Sequence, residues 1–366
     1  MKMDLFPALE KRYCKEHLSA IEAQRLAHEI SFGPIVFEVS RLMIKFGILQ
    51  MLTDSKDGLT LDEIAEKTKL SDYAVKVMME ASLTIGTVLY ENEKFTISKA
   101  GWFLQNDPLV RVDIDFNHDV NYLGWFNLEE SLLNEKPEGL KHFGEWPTIY
   151  EGLSQLPEQV QKSWFGFDHY YSDQSFEEAM TIVFNSNNVN TLLDVGGNTG
   201  RFAMKCVEFN KNVNITIMDL PQQLEMMRRQ TEGEPDSDRI HGHGANLLDD
   251  SVPFPKGFDA IWMSQFLDCF SKEQVISILR RAAESMDENS TLYIMETLWD
   301  RQKFETASYC LTQISLYFTA LANGNSKMFH SRDLFDYIES AGLKVAEITD
   351  GLGKGHSLIK VIKNQK

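Results

Sequence analysis

The chain has 366 residues, a formal net charge of −18 and four cysteines that are scattered without pairing motifs. This length accommodates two domains with a sizeable core. The negative charge argues against nucleic acids and membranes as partners, because both select clustered lysine and arginine. The cysteine pattern, and the absence of a signal peptide at Met1–Phe6, predict a reduced, cytoplasmic protein.

The N-terminal region predicts helices that are followed by a small β-hairpin. Thr60, with Glu63 three residues later, forms a capping box that starts one helix, and Ser71 caps the next helix. Strand patterns follow at Val88–Tyr90 and Lys94–Ile97. An apolar stripe precedes all of these on what we predict to be a single helix, and its members are Ile35, Val36, Val39, Leu42, Met43, Phe46 and Leu49.

Two helices followed by a hairpin are typical of a winged helix, which serves either in DNA binding or in dimerisation. Residues 59–100 carry seven acidic side chains and five lysines, and the second helix has one lysine and no arginine. A DNA-binding domain needs a basic face. The sequence therefore predicts that residues 1–110 are a dimerisation domain, with the apolar stripe packed partly on a second copy.

Residues 111–176 are unusually rich in aromatic side chains. Most of these must be core residues, because large aromatics usually are. Their density nevertheless predicts a flat, apolar binding partner. The aromatics are Tyr122, Trp125, Phe126, Phe143, Trp146, Tyr150, Trp164, Phe165, Phe167, Tyr170 and Tyr171.

The most informative segment begins with the apolar strand Thr191–Val195, which leads into a glycine-rich turn and then a helical pattern. Strand, glycine turn and helix together indicate the ligand-binding corner of a doubly wound α/β domain. Gly196, Gly197 and Gly200 permit a tight turn and close approach of a ligand. Asn198 tolerates the left-handed conformation better than most residues do.

The turn does not match the dinucleotide pattern G-x-G-x-x-G, because Asn198 and Arg201 occupy its second and third glycine positions. Asp194 precedes the first glycine by two residues. A carboxylate there repels phosphate but accepts a hydrogen bond from an ammonium group, and S-adenosylmethionine carries an ammonium and no phosphate. Asp219 ends the next strand pattern, at the position where a carboxylate binds ribose hydroxyls.

The motifs Asp194–Gly200, Met218–Pro221 and Gly244–Leu248 resemble the cofactor motifs of class I S-adenosylmethionine-dependent O-methyltransferases. More narrowly, they resemble the plant and polyketide type, which methylates small aromatic hydroxyls and has an N-terminal winged-helix dimerisation domain. The resemblance covers nearly the whole chain. It implies a homodimer that binds S-adenosylmethionine and a small-molecule acceptor, with residues 111–176 as a helical connector that lines the acceptor pocket and residues 177–366 as the methyltransferase domain.

The chain departs from this family at the end of the strand pattern Phe258–Ser264. The family has Leu-His-Asp-Trp-Ser there, and its histidine deprotonates the acceptor. Aligning Leu267 and Ser271 places Asp268 at the histidine position. Glu296 matches one of the two acids that frame the histidine, whereas Phe329 replaces the other acid.

Three interpretations of Asp268 follow. It is a base with a raised pKa, or a group that orients an already ionised acceptor. Alternatively, His169 or His330 supplies the base. In the third interpretation methyl transfer is lost, and the chain is a cofactor-binding protein of the same fold with a regulatory role or different chemistry.

The sequence thus predicts an α/β protein, in which a Rossmann-like doubly wound methyltransferase domain follows a mainly helical winged-helix dimerisation domain. The motif His241-Gly-His243 lacks a third ligand, so we predict no metal site. The predicted catalytic residues are Asp268 and Glu296. The predicted cofactor-binding residues are Asp194, Gly196, Gly197, Asn198, Gly200, Asp219, Leu220, Asn246, Leu247 and Ser264. The predicted acceptor-binding residues are Phe165, Tyr171, Phe266, Tyr309, Gln313 and Phe318.

Overall fold

A computed structural model describes residues 9, 12–186 and 188–364 of the chain. Internal contacts divide it into two compact units: residues 15–119 form one, and residues 120–364 belong to the other. The finer division into segments 1–110, 111–176 and 177–366 stays a prediction.

The N-terminal unit consists of helices and one two-stranded sheet. Its strands β1 and β2 pair antiparallel through a two-residue turn in which Asn92 and Glu93 have left-handed φ values of 51° and 59°. The strands are β1 (Val88–Glu91) and β2 (Lys94–Ile97). The helices are α1 (Ala20–Ser31), α2 (Gly33–Lys45), α3 (Ile48–Asp54), α4 (Leu61–Thr68), α5 (Asp72–Ile85), α6 (Lys99–Asn106) and α7 (Pro108–Phe116).

The predicted winged helix is confirmed in its elements and caps. Thr60 and Glu63 form the capping box of α4, and the Ser71 side chain accepts a hydrogen bond from the backbone of Ala74 at the start of α5. The prediction that a single helix carries the whole apolar stripe is wrong. Gly47, at a φ of 73°, separates α2 from α3, so that Leu49 lies on a second helix.

The second unit contains a seven-stranded sheet with the spatial order β5-β4-β3-β6-β7-β9-β8. The pairs from β5 to β7 are parallel, whereas β9 pairs antiparallel with both β7 and β8. Its strands are β3 (Thr191–Val195), β4 (Asn214–Asp219), β5 (Ile240–Gly244), β6 (Ala260–Ser264), β7 (Thr291–Glu296), β8 (Leu343–Leu352) and β9 (His356–Lys363).

Helices cover both faces of this sheet, and each face has its own apolar core. One core centres on Leu193, Ile261 and Ile294, and the other on Leu192, Trp262 and Tyr293, as the alternation of side chains along a strand requires. The helices are α8 (Leu128–Asn134), α9 (Ile149–Gly152), α10 (Glu158–Ser172), α11 (Phe176–Ser186), α12 (Arg201–Phe209), α13 (Pro221–Thr231), α14 (Lys272–Ser285), α15 (Glu305–Tyr317) and α16 (Ser331–Ser340).

The chain order reverses between β3 and β6, which lie side by side in the middle of the sheet. In open α/β sheets, ligands bind in the crevice outside the carboxyl ends of the strands at such a switch point. The glycine turn follows β3 and the segment around Asp268 follows β6, so the fold brings both predicted regions to this crevice. The predicted α/β, Rossmann-like fold class is confirmed.

Candidate functional site

The turn after β3 combines three left-handed residues. Gly196, Asn198 and Gly200 have φ values of 73°, 48° and 82°, and Gly200 directly precedes α12. Glycine adopts this conformation without steric cost, and asparagine adopts it more readily than most residues. The expected left-handed Asn198 is therefore present, and the turn returns the chain into α12.

The glycines also permit two very close contacts. A Cβ atom on Gly196 would lie 2.3 Å from the Phe266 ring, and one on Gly197 would lie 2.6 Å from the Asp194 carboxylate. Both distances are far shorter than a van der Waals contact. The turn therefore packs directly on the end of β3 and on the segment that follows β6.

Asp194 and Asp219 lie at the ends of neighbouring parallel strands. The Asp194 side chain is buried, and burial together with the charge of Asp219 raises its pKa to about 8. Burial also raises the pKa of Asp219, although its carboxylate accepts hydrogen bonds from the backbone of Asn198 at 2.8 Å and of Leu220 at 2.7 Å. A cation beside Asp194 would restore its ionised form.

Three buried polar atoms near the carboxyl ends of β3 and β6 lack hydrogen-bond partners within the described part of the chain. They are Asp194 Oδ2, Asn198 Oδ1 and Ser264 Oγ. Buried polar atoms normally have hydrogen-bond partners, so these three atoms have capacity left to bind a polar ligand. The Asp194 carboxylate, which can accept hydrogen bonds beside the bare glycine backbone, fits the ammonium-bearing methionine end of S-adenosylmethionine. Asp219 fits the ribose of the same molecule.

Leu247 lies in the loop after β5, where the sequence predicted adenine contacts. Leu247 is buried, whereas Asn246 is exposed and its side chain accepts a hydrogen bond from the backbone of Leu248. The Arg281 guanidinium holds this loop by donating to the carbonyl oxygens of Leu247, Asp249 and Val252 at 2.6, 3.0 and 3.0 Å. Sequence reasoning missed Arg281, because an arginine on α14 gives no local sign of what it contacts.

The segment after β6 begins with a strained residue. Gln265 has a φ of 44°, and its side chain faces His356 at 3.1 Å. His356 is fully buried and also faces Ser175 at 2.8 Å, and burial lowers its pKa to about 4. A neutral histidine thus links this turn to β9, and the turn places Phe266 over Gly196.

Glu296 and Asp268 form a buried acidic pair. Glu296, at the end of β7, accepts hydrogen bonds from the backbone of Phe266 and Leu267 at 3.2 and 3.0 Å. Burial and then the charge of Asp268 raise its pKa well above the usual range. Burial raises the pKa of Asp268 to about 7, and Asp168 contributes to that rise.

The side chains around Asp268 come from three helices. Tyr317 on α15 accepts a hydrogen bond from the Trp164 indole of α10 at 2.7 Å. The Tyr150 hydroxyl of α9 is buried, and burial raises its pKa, with a further contribution from the neighbouring Cys269 thiol. Sequence reasoning named Tyr150 only as one of eleven aromatic residues and did not single out Asp168, although an acid within the aromatic run 164–171 was a usable signal.

The predicted acceptor residues divide by exposure. Tyr171 and Phe318 are buried, and Phe318 packs on Tyr317 with ring centroids 5.2 Å apart. Phe165 packs on Trp164 at 5.0 Å. Tyr309 is 57% exposed on α15, and Gln313 is exposed on the same helix. Acceptor contacts for all of these residues stay a prediction.

The alternative bases have other contacts. His169 Nδ1 lies 2.8 Å from the Arg201 guanidinium, and burial followed by Arg201 lowers the His169 pKa. His330 caps α16, where its Nδ1 accepts a hydrogen bond from the backbone of Arg332. Phe329, at the position of the second acid, is buried in the core against Tyr337.

Neither metal clusters nor membrane spans occur in the part of the chain that the structure describes. Within it, no group of three or more His, Cys, Asp or Glu side chains could hold a metal ion. No helix of the described residues has the length and apolar character needed to cross a membrane. The four cysteines are free thiols.

Two family models match the chain. A Dimerisation2-like domain matches residues 24–95, and an O-methyltransferase domain matches residues 125–342. Among similar proteins, the L-tyrosine C(3)-methyltransferase of Streptomyces lavendulae is 22% identical over 80% of this chain and 79% of its own length. The demethylspheroidene O-methyltransferase of Rhodobacter capsulatus is 21% identical over 86% of this chain and 75% of its own.

Solved structures share the fold at low sequence identity. The S-adenosylmethionine-dependent methyltransferase SibL in its apo form superposes with a TM-score of 0.69 at 19% identity, covering 92% of this chain and 98% of its own. Human N-acetylserotonin methyltransferase in complex with S-adenosylmethionine gives 0.66 at 14% identity, covering 96% and 100%. Since the O-methyltransferase model spans more than half of the chain, the protein belongs to the S-adenosylmethionine-dependent O-methyltransferase family.

Proposed function

We propose that the protein methylates a hydroxyl or carboxyl oxygen of a small aromatic or polyketide-like acceptor, with Asp268 in place of the usual histidine. The observation that carries this proposal is the burial of Asp268 beside Glu296 at the end of β6, where its pKa rises to about 7. A carboxyl group with that pKa exchanges its proton near neutral pH, which an exposed aspartate does not do.

The raised pKa changes the cost of proton transfer. A phenol has a pKa of ~10 and an ordinary aspartate ~3.9, so transfer between them is uphill by about 8 kcal/mol. With Asp268 at a pKa of about 7, the difference falls to about 3 units, or about 4 kcal/mol. Asp268 is therefore suited to a phenol of lowered pKa or to another acidic hydroxyl.

The other residues of the candidate site would bind the cofactor or orient the turn that carries Asp268. Asp194 would accept hydrogen bonds from the ammonium of S-adenosylmethionine, Asp219 would bind its ribose, and Leu247 would pack on its adenine. S-adenosylmethionine supplies an activated methyl group, so catalysis depends largely on alignment and on exclusion of water. Glu296 orients the turn that carries Asp268 through its two backbone hydrogen bonds.

The test is an acceptor screen with S-adenosylmethionine that follows S-adenosylhomocysteine release and locates the new methyl group by mass spectrometry and NMR. We expect an O-methylated product. The L-tyrosine C(3)-methyltransferase is named for carbon methylation, so the position of the methyl group must be determined. A protein that binds the cofactor but methylates carbon, or nothing in the panel, contradicts the proposal.

We also propose that the protein is a homodimer built on its N-terminal unit. Helix α1 has no buried residue, and Ile21 and Ile30 on it are 80% and 70% exposed. Ile35 on α2 is 58% exposed. Several large apolar side chains exposed on two consecutive helices are typical of a surface that another subunit covers. Sedimentation velocity should give about twice the 42.0 kDa chain mass, whereas a monomer at micromolar concentration would contradict the proposal.

A further inference from the structure

The segment that carries Asp268 is a single 3₁₀ turn, Leu267–Cys269, between β6 and α14. Its backbone hydrogen bonds run from the Cys269 N–H to the Phe266 carbonyl oxygen and from the Phe270 N–H to the Leu267 carbonyl oxygen, each at 3.1 Å. Short 3₁₀ turns have poorer hydrogen-bond geometry than α-helices. The direction of the Asp268 carboxyl group therefore depends on contacts from other elements.

Two side chains from distant elements hold this turn at its two ends. Glu296 at the end of β7 accepts a hydrogen bond from the Leu267 N–H at 3.0 Å. At the other end, Asn323 Nδ2 donates a hydrogen bond to the Cys269 carbonyl oxygen at 2.5 Å, across 54 residues of sequence. The two side chains thus anchor the backbone of the residues immediately before and immediately after Asp268.

The orientation of the Asn323 amide is fixed by its other contacts. Its Oδ1 accepts hydrogen bonds from the backbone of Asn325 and Ser326, both at 3.2 Å, and from the Ser326 hydroxyl at 2.9 Å. Three donors face Oδ1 and a carbonyl oxygen faces Nδ2, so only this assignment of the amide oxygen and nitrogen satisfies both sides. The two atoms have separate contacts: Oδ1 stabilises its own loop, and Nδ2 contacts the turn that carries Asp268.

The segment before Asn323 is packed closely enough to hold that side chain in place. It is a π-helical turn, Phe318–Ala322, at the end of α15, and such turns are frequent at functional sites. The Asn323 N–H donates to the Phe318 carbonyl oxygen at 3.1 Å. A Cβ atom on Gly139 would lie 2.8 Å from the Ala320 carbonyl oxygen, so the π-helical turn packs directly on neighbouring backbone.

We propose that Asn323 is a positioning residue for methyl transfer, because its amide N–H fixes the Cys269 carbonyl group and with it the direction of the Asp268 side chain. The proposal rests on the proposed function, in which Asp268 takes up the acceptor proton. A misplacement of about 1 Å can lower a rate by about 10²-fold. Loss of the Nδ2 donor should therefore lower kcat. Cofactor affinity should not change, since Asp194 and Asp219 lie on β3 and β4.

Four variants separate the two contacts of Asn323. Asn323→Asp keeps an acceptor oxygen for the loop but loses the Nδ2 donor, and Asn323→Leu loses the donor without adding a charge. Asn323→Gln keeps an amide donor and should restore part of the rate. Ser326→Ala is the matched control, because it removes one donor to Oδ1 and leaves the Nδ2 contact in place.

The experiment measures backbone hydrogen exchange by mass spectrometry on the full chain saturated with S-adenosylhomocysteine, and kcat with an acceptor from the screen. In Asn323→Asp and Asn323→Leu we expect exchange in residues 266–271 to be about tenfold faster and kcat to be about 10–10²-fold lower. Ser326→Ala should change either quantity by less than about twofold. The Kd for S-adenosylhomocysteine should be the same in all variants.

Unchanged exchange in both Asn323→Asp and Asn323→Leu overturns the inference, and so does faster exchange with an unchanged kcat. A rate loss in Asn323→Asp alone overturns it too, because the added charge and not the lost donor is then the cause. An equal loss in Ser326→Ala assigns the effect to the loop and also overturns it. Absence of methyl transfer by the unsubstituted protein contradicts the proposed function itself, whereas turnover that the Asn323 variants retain contradicts only the present inference.

Discussion

Replacing Asp268 with asparagine is expected to lower kcat for methyl transfer by about 10²–10⁴-fold, the usual contribution of a general base. Asparagine preserves the shape of the buried side chain but cannot take up the proton that the methyl acceptor loses. In the unsubstituted enzyme, the carboxylate is the active form, so kcat/KM should rise as the pH increases through about 7, the pKa of Asp268. The variant should lose this pH dependence.

The measurement is the initial rate of S-adenosylhomocysteine release with an acceptor identified by the screen, between pH 5.5 and 9. Asp287→Asn, which changes an exposed acid after α14, is the control and should leave the rate unchanged. Cofactor affinity should also be unchanged in Asp268→Asn. Full activity of Asp268→Asn would show that Asp268 takes no part in proton transfer.

Replacing Asp194 with asparagine should have opposite effects on binding and on stability. The carboxylate that pairs with the cofactor ammonium is lost, so affinity for S-adenosylmethionine should fall by about 2–3 kcal/mol. The cofactor-free protein should become more stable at pH 8 by about 1–3 kcal/mol, because the substitution removes a buried charge close to Asp219.

The pH dependence gives this stability effect a definite sign. The pKa of Asp194 is about 8 in the folded chain and 3.8 in its unperturbed state. Folding thus favours the protonated form, and the carboxyl group destabilises the fold increasingly as the pH rises from about 4 to 8. The gain from Asp194→Asn, measured by urea unfolding without cofactor, should therefore shrink towards pH 4. A gain that is independent of pH, or a stability loss at pH 8, would contradict this assignment.

Much of the fold, and the part of the candidate site at the ends of β3 and β4, could be predicted because the sequence patterns that specify them are local. The left-handed turn at Gly196–Gly200, the acid at the end of the next strand and the caps at Thr60 and Ser71 each depend on neighbouring residues. The single helix predicted under the apolar stripe was wrong because Gly47 interrupts it.

The loop after β5 and the surroundings of Asp268 depend instead on contacts between segments that are distant in the sequence. The Arg281 guanidinium contacts the loop after β5 across 29 to 34 residues of sequence. Tyr150 and Asp168 precede Asp268 by 118 and 100 residues in the sequence, and only the folded chain brings these groups within electrostatic influence of one another. No periodicity or spacing marks such contacts. The pKa values of Asp168 and Asp268 likewise depend on burial, which the sequence alone does not specify.

The most direct test of the account is calorimetric titration of the unsubstituted protein and of Asp219→Ala with S-adenosylmethionine and S-adenosylhomocysteine. If the glycine turn with Asp194 and Asp219 is the cofactor site, the unsubstituted protein should bind both compounds with a Kd of roughly 1 μM to 1 mM. Asp219→Ala should then bind about 1–3 kcal/mol more weakly, because charge-assisted hydrogen bonds to the ribose are lost. Absence of binding to the unsubstituted protein, or equal affinity in Asp219→Ala, would contradict this assignment of the cofactor site.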